Sequence, residues 1–109
     1  MSTEQRQSQR LQAIVETIVQ VARPERVILF GSHARGDADP ESDLDLFIEM
    51  ESDKRPPERD IEVDEVFGLR DWPMDLFVYT PEEVERFRGV IGTLVSIVDA
   101  EGKVLYERQ

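Results

Sequence analysis

A glycine-serine pair and three carboxylates carry the chemistry this chain could perform. Gly31-Ser32 is followed, after ten residues, by Asp43-Leu44-Asp45, and a third acid, Asp75, sits inside the apolar run Met74-Asp75-Leu76-Phe77-Val78. In an extended strand side chains alternate between faces, so Asp43 and Asp45 are expected on one face while Leu44 and Leu46 turn into a core. Two carboxylates side by side next to apolar surface repel unless a cation stands between them, and Mg²⁺ is the hard ion that such oxygen ligands suit. Two ions about 3.5–4 Å apart clamp the attacking and leaving oxygens of a phosphoryl or nucleotidyl transfer. Asp43 and Asp45 are then the expected ligands of both ions. Asp75, if its strand pairs beside theirs, either ligates the ion that activates the nucleophile or accepts its proton.

Gly31-Ser32 follows an apolar run, where a turn lacking a Cβ lets backbone amides approach terminal phosphates and the Ser32 hydroxyl adds a donor. Ala34-Arg35 could open a short helix whose N-terminus favours anions, and Arg35 could meet a phosphate directly or form a surface ion pair with Asp37 or Asp39. Each fragment has a plainer reading. Asp43 could serve the turn after Pro40-Glu41-Ser42, and Asp75 could be a solvated edge-strand acid. His33, the one histidine, could touch a nucleotide or be an exposed loop residue. Trp72 could stack on a base or pack the sheet edge. The Gly-Ser turn and the third acid, in register with strands, favour the site reading over the plainer ones.

The elements that must position these residues are legible in part. Leu11, Ile14, Val15, Ile18, Val19 and Ala22 recur at helical spacing and stop before Pro24. Val27 to Phe30 reads as a buried strand closed by Gly31, Gly36 to Pro40 as a loop, and Leu44 to Glu49 as a second strand. Glu51 to Asp60, with Pro56-Pro57, reads as a surface connection into a helix around Glu58 to Leu69. Met74 to Tyr79 predicts a third strand. Thr80-Pro81-Glu82-Glu83 predicts a helix start, with Thr80 as N-cap, Pro81 at N1 and Glu83 at N3. Ile91, Leu94, Val95 and Val98 continue helically until Gly102, and Val104-Leu105-Tyr106 closes as a last strand. The expected fold is α/β (α+β), a small mixed sheet of about four strands flanked by helices, with the site at one edge or end of the sheet.

Composition narrows the class of protein. At 109 residues one domain spanning 1–109 is expected, and 39% hydrophobic with 34% charged residues suits a globular chain. No apolar run approaches the ~20 residues of a membrane span. Met1 to Arg10 lacks an apolar signal core, and with no cysteine there are neither disulfides nor thiolate metal sites, so a cytoplasmic location is expected. Thirteen Lys and Arg against 24 Asp and Glu leave a net charge of -11, which opposes binding to long nucleic acid. A single nucleotide is still accommodated, since Mg²⁺ and backbone amides act at short range while the distant acidic surface is screened. The acidity suggests a basic partner, or serves solubility alone.

Taken together, Phe30-Gly31-Ser32-His33-Ala34-Arg35-Gly36-Asp37-Ala38, the spaced Asp43-Leu44-Asp45 and the third acid Asp75 resemble the minimal nucleotidyltransferases of the DNA polymerase β-like superfamily. The resemblance runs from the first helix to Val104-Leu105-Tyr106 and implies the polymerase β-like nucleotidyltransferase fold. It implies further that Asp43, Asp45 and Asp75 bind Mg²⁺ and that ATP is the substrate. Small free-standing members are typically encoded beside a helical HEPN partner. By that resemblance the chain would be an antitoxin, paired in a hetero-oligomer with a HEPN RNase toxin and transferring AMP from ATP onto one of the toxin's tyrosines. Two alternatives stay open: a non-catalytic antitoxin acting by binding, and an enzyme adenylylating a small molecule such as an aminoglycoside.

Overall fold

A computed structural model of the chain describes residues 2–39, 42–65 and 73–109. Helix α1 covers Thr3–Ala22 and is followed by strand β1 at Arg26–Phe30, a single helical turn α2 at Ser32–Arg35 and strand β2 at Leu44–Glu49. Helix α3, Pro56–Glu65, leads to strand β3 at Met74–Tyr79, after which α4 (Pro81–Phe87), α5 (Leu94–Glu101) and strand β4 (Lys103–Glu107) complete the order.

The four strands form one mixed sheet in the order β3-β2-β1-β4. Strand β1 is antiparallel to both β2 and β4, whereas β2 and β3 run parallel. A parallel pair needs a crossover, and α3 with its flanking segments supplies it. The two faces are sorted by alternation along each strand. Val27, Leu29, Leu44, Leu46, Ile48, Met74, Leu76 and Val78 pack with Ile18 of α1 and Val63 of α3. Ile28, Phe30 and Phe47 meet Val84 of α4 and Val95 and Val98 of α5 on the other face. Both faces are therefore covered, and β2 is buried along most of its length.

Local signals explain where most elements begin. Thr80 accepts from the Glu83 amide while the Glu83 carboxylate accepts from the Thr80 amide, so the expected capping box is present with Pro81 in the first turn. One helix runs further than its apolar stripe, and two expectations need correction. Helix α1 begins at Thr3, far upstream of its apolar stripe, because Ser2 and Gln5 form a capping box that the polar composition of this stretch conceals. Helix α3 begins at Pro56, so the proline pair lies in its first turn, where missing N–H groups cost nothing, and not in a connection. Ile91 lies outside α5 and is 96% exposed, because Gly89 and Gly92 take positive φ and break the chain into two helices. The readings of Trp72 and of the third helix up to Leu69 fall outside the described residues.

Helix α3 also closes the outer edge of β3. The Asp60 carboxylate accepts from the Val78 amide at 2.8 Å, and the Arg59 guanidinium donates to the Val78 carbonyl at 3.2 Å. Arg59, only 4% exposed, is held in turn by the Glu83 carboxylate at 2.6 and 3.1 Å and by the Lys54 carbonyl at 2.8 Å. Side chains thus satisfy backbone groups that an edge strand otherwise presents to solvent.

Candidate active site

The register of the sheet brings the sequence-predicted residues to one end. Phe30 pairs with Asp45, and Asp45 pairs with Asp75, so the last residue of β1 and the two acids form one row across three strands. Because β1 runs against β2 and β3, its C-terminal end meets the starts of both, and Gly31 emerges beside the acids. The row lies on the α4/α5 face. One register step further in stand Ile28, Phe47 and Phe77, with the Phe30 and Phe77 rings 5.6 Å apart and those of Phe47 and Tyr79 5.0 Å apart. These rings form an apolar floor beneath the carboxylates.

Gly31 meets Asp45 directly. It takes φ +77, which side-chain-bearing residues rarely adopt, and a Cβ placed on it would lie 2.3 Å from Asp45 Oδ2. Glycine is required here twice over, by backbone conformation and by the approach of the carboxylate. The turn continues into α2, which starts at Ser32 and not at Ala34 and spans one turn; the Ala34 and Arg35 amides donate to the Gly31 carbonyl. Arg35 consequently sits at the end of α2 and not at its start.

Burial pushes the Asp45 carboxyl up from its ordinary range, and the neighbouring Asp75 and Asp43 carboxylates push it further in the same direction, against smaller pulls from His33 and Arg35. Asp45 is half-buried, while Asp43 and Asp75 are exposed. Asp43 precedes β2 by one residue and lies outside the ladder; the Leu44 amide donates to the Pro73 carbonyl, which fixes where the acidic pair begins. Among the described residues no three acids or histidines stand in a ready-made ligand cluster. What is present is a half-buried carboxylate flanked by two exposed ones that repel it, which is a donor set and a charge that a hard divalent cation suits.

Arg35 stands in an ion pair with two acids. Its guanidinium donates to Asp37 at 3.2 Å and reaches Glu101 at 3.2 and 3.5 Å, and these acids raise its pKa, Asp37 most strongly. The His33 ring lies 2.9 Å from the Ser42 carbonyl, tying the Gly-Ser turn to the approach of β2. A cavity of about 250 Å³ adjoins the row, lined by Asp60, Ile61, Asp64, Met74, Asp75 and Leu76. A larger groove of about 550 Å³ lies elsewhere, between α1 and β4, with Leu11, Val15, Val19, Leu105 and Tyr106 along it.

One residue escaped the sequence reading. Glu101, the last residue of α5, accepts from the Gly31 amide at 3.3 Å as well as from Arg35. Its partners lie 70 and 66 residues away, and only the pairing of β4 with β1 brings α5 to this end of the sheet. No local pattern announces such a contact.

A carboxylate row beside a glycine turn thus stands at one end of the sheet. Residues 9–108 match the nucleotidyltransferase domain model, and the chain belongs to that family. It is by that membership a transferase, of a family that generally uses a nucleoside triphosphate and a divalent metal. Among solved structures it is similar to a candidate nucleotidyltransferase from Sulfolobus solfataricus, with TM-score 0.68 and 22% identity over 97% of this chain and 85% of that one. It is also similar to a toxin-antitoxin structure crystallised with AMP-PNP, with TM-score 0.61 and 21% identity over 90% of this chain and 74% of that one. Both likenesses are of fold. No curated protein matches the chain. Among the described residues no helix is long and apolar enough to cross a membrane.

Proposed function

We propose that this chain is a Mg²⁺-dependent adenylyltransferase that acts as an antitoxin, moving AMP from ATP onto a tyrosine of a partner HEPN-type RNase toxin. The observation that carries the transferase part is the row Phe30, Asp45, Asp75, with Gly31 packed against the Asp45 carboxylate. The antitoxin part is supported by the fold shared with a toxin-antitoxin structure crystallised with AMP-PNP and by a net charge of -11, which suits a basic protein partner. The unit over residues 1–109 acts in the cytoplasm, where ATP is abundant.

In this reading Gly31 and Ser32 receive the terminal phosphates, with the glycine permitting close backbone approach and the serine hydroxyl donating. Asp43, Asp45 and Asp75 are the residues that would hold Mg²⁺, two ions in all. When bound, the metal neutralises phosphate charge and lowers the cost of generating an alkoxide or phenoxide nucleophile. Asp75, exposed on the edge strand beside the 250 Å³ cavity, either ligates the ion nearest the acceptor hydroxyl or takes its proton. The acceptor oxygen forms a bond to the α-phosphorus, the bond from that phosphorus to the β-bridging oxygen breaks, and pyrophosphate leaves. Arg35 stands at the phosphate turn as a cation on its solvent side.

The test is incubation of the purified chain with ATP and Mg²⁺, with and without its genomic-neighbour protein, followed by intact-mass analysis. The neighbour gains the mass of AMP in a Mg²⁺-dependent manner, and Asp43→Asn reduces the rate by on the order of 10³-fold. A stable complex that silences the neighbour with no mass gain overturns transfer and leaves an antitoxin acting by burial.

A further inference from the structure

We propose that the Glu101 carboxylate is a resident anion at the phosphate turn, occupying in the free protein the donors that nucleotide phosphate takes, and that its displacement sets nucleotide affinity. The inference rests on the nucleotide reading of the site given above.

A single oxygen carries the argument. Glu101 Oε1 accepts from the Gly31 amide at 3.3 Å and from Arg35 Nη1 at 3.2 Å, so it stands between a backbone N–H and a guanidinium, as a phosphate oxygen does in an anion cradle. Both bonds are long for charge-assisted ones, which centre near 2.7–2.9 Å. The Glu101 side chain is 28% exposed and that of Arg35 47%, so water competes for each partner and the arrangement is readily exchanged. A phosphate approaching Gly31 meets a negative charge already in place. It must either displace the carboxylate or tolerate it at contact distance.

The backbone under Glu101 is fixed. A Cβ on the adjoining Gly102 would lie 2.5 Å from the Val98 carbonyl oxygen and 2.6 Å from the Ile28 side chain, and the Gly102 amide closes the helix on Val98 at 2.8 Å. Helix α5 is thus held against β1, and Glu101 yields by rotating its side chain while the helix stays in place. Once it has swung away, Arg35 keeps Asp37 as a partner and its second donor group is freed for phosphate. A residue that merely supported the turn would have the opposite signature, since its removal would loosen Gly31 and weaken binding.

The experiment compares the full chain with its Glu101→Gln and Glu101→Ala variants, with folding checked by circular dichroism. The probe is α,β-methylene-ATP with Mg²⁺, which cannot lose its nucleotidyl group, and the readout is Kd by calorimetry. Both variants bind roughly 3- to 10-fold more tightly than the parent, because a like charge is removed from the site. Unchanged or weaker binding by both folded variants, with normal binding by the parent, overturns the placeholder role and leaves the nucleotide reading standing. Absence of binding by the parent and both variants overturns the nucleotide reading and this inference together.

Discussion

Asp45 is at once the most constrained and the least comfortable side chain of the site. Burial and its two acidic neighbours raise its pKa, so its charged form is disfavoured in the folded state. A carboxyl whose folded pKa lies above its unfolded value contributes stability in full below the unfolded value, and that contribution is lost as pH rises through the folded one. At neutral pH Asp45 therefore works against the metal-free fold. Asp45→Asn is expected to raise the Tm of the metal-free protein at pH 7, to leave it little changed near pH 3, and to abolish transfer; thermal melts at the two pH values check this. Such opposition between stability and activity is common where a site stores unpaired charge. Gly31→Ala is expected to fail for a steric reason, with a Cβ at φ +77 and 2.3 Å from Asp45 Oδ2. Activity is lost, and denaturant unfolding shows a cost of about 1–2 kcal/mol from the backbone conformation alone.

At the scale of elements, the clamp between α3, β3 and α4 is the part of the fold most exposed to acid. The Arg59 guanidinium, followed by the Thr80 amide bond, overcomes burial to hold the Glu83 carboxyl down to about 2 from its usual 4.5. Because the folded pKa is depressed, the stabilisation is present above pH 4.5 and is lost as pH falls toward 2. By linkage it is worth on the order of 3 kcal/mol. Acid titration of Glu83→Gln should show a shallower loss of stability across that window than the parent. Arg59→Ala should cost about 3–5 kcal/mol at neutral pH, because it leaves Glu83 without its cation and the Val78 carbonyl without a donor. Adding Glu83→Ala should return part of that cost, as a double-mutant cycle would read.

For the whole molecule, a charge of -11 on 109 residues is a self-repulsion that added salt relieves. Raising NaCl from about 50 to about 500 mM is expected to increase Tm, and a Tm that falls would show that the ion pairs outweigh the repulsion. The acidic surface also fits the partner proposed here. Association with a basic protein should accelerate at low salt, with the association rate falling steeply as ionic strength rises while the dissociation rate changes little.

What the sequence determined by itself follows from local physics. Short apolar runs and alternation located the four strands of the described residues, and Thr80 to Glu83 announced the start of α4, because hydrophobic pattern and end-capping act within a few residues. Gly31, Ser32, Asp43, Asp45 and Asp75 could be singled out because their residue types and spacing are unusual beside strand ends. Only the tertiary structure decided that Phe30, Asp45 and Asp75 share one row, which helices pack on which face of the sheet, and that Arg59 is buried between α3 and Glu83. Glu101 belongs wholly to that second group. Strand register and helix docking join residues some 70 positions apart, and those contacts are fixed by the burial of surfaces that no short stretch of sequence contains.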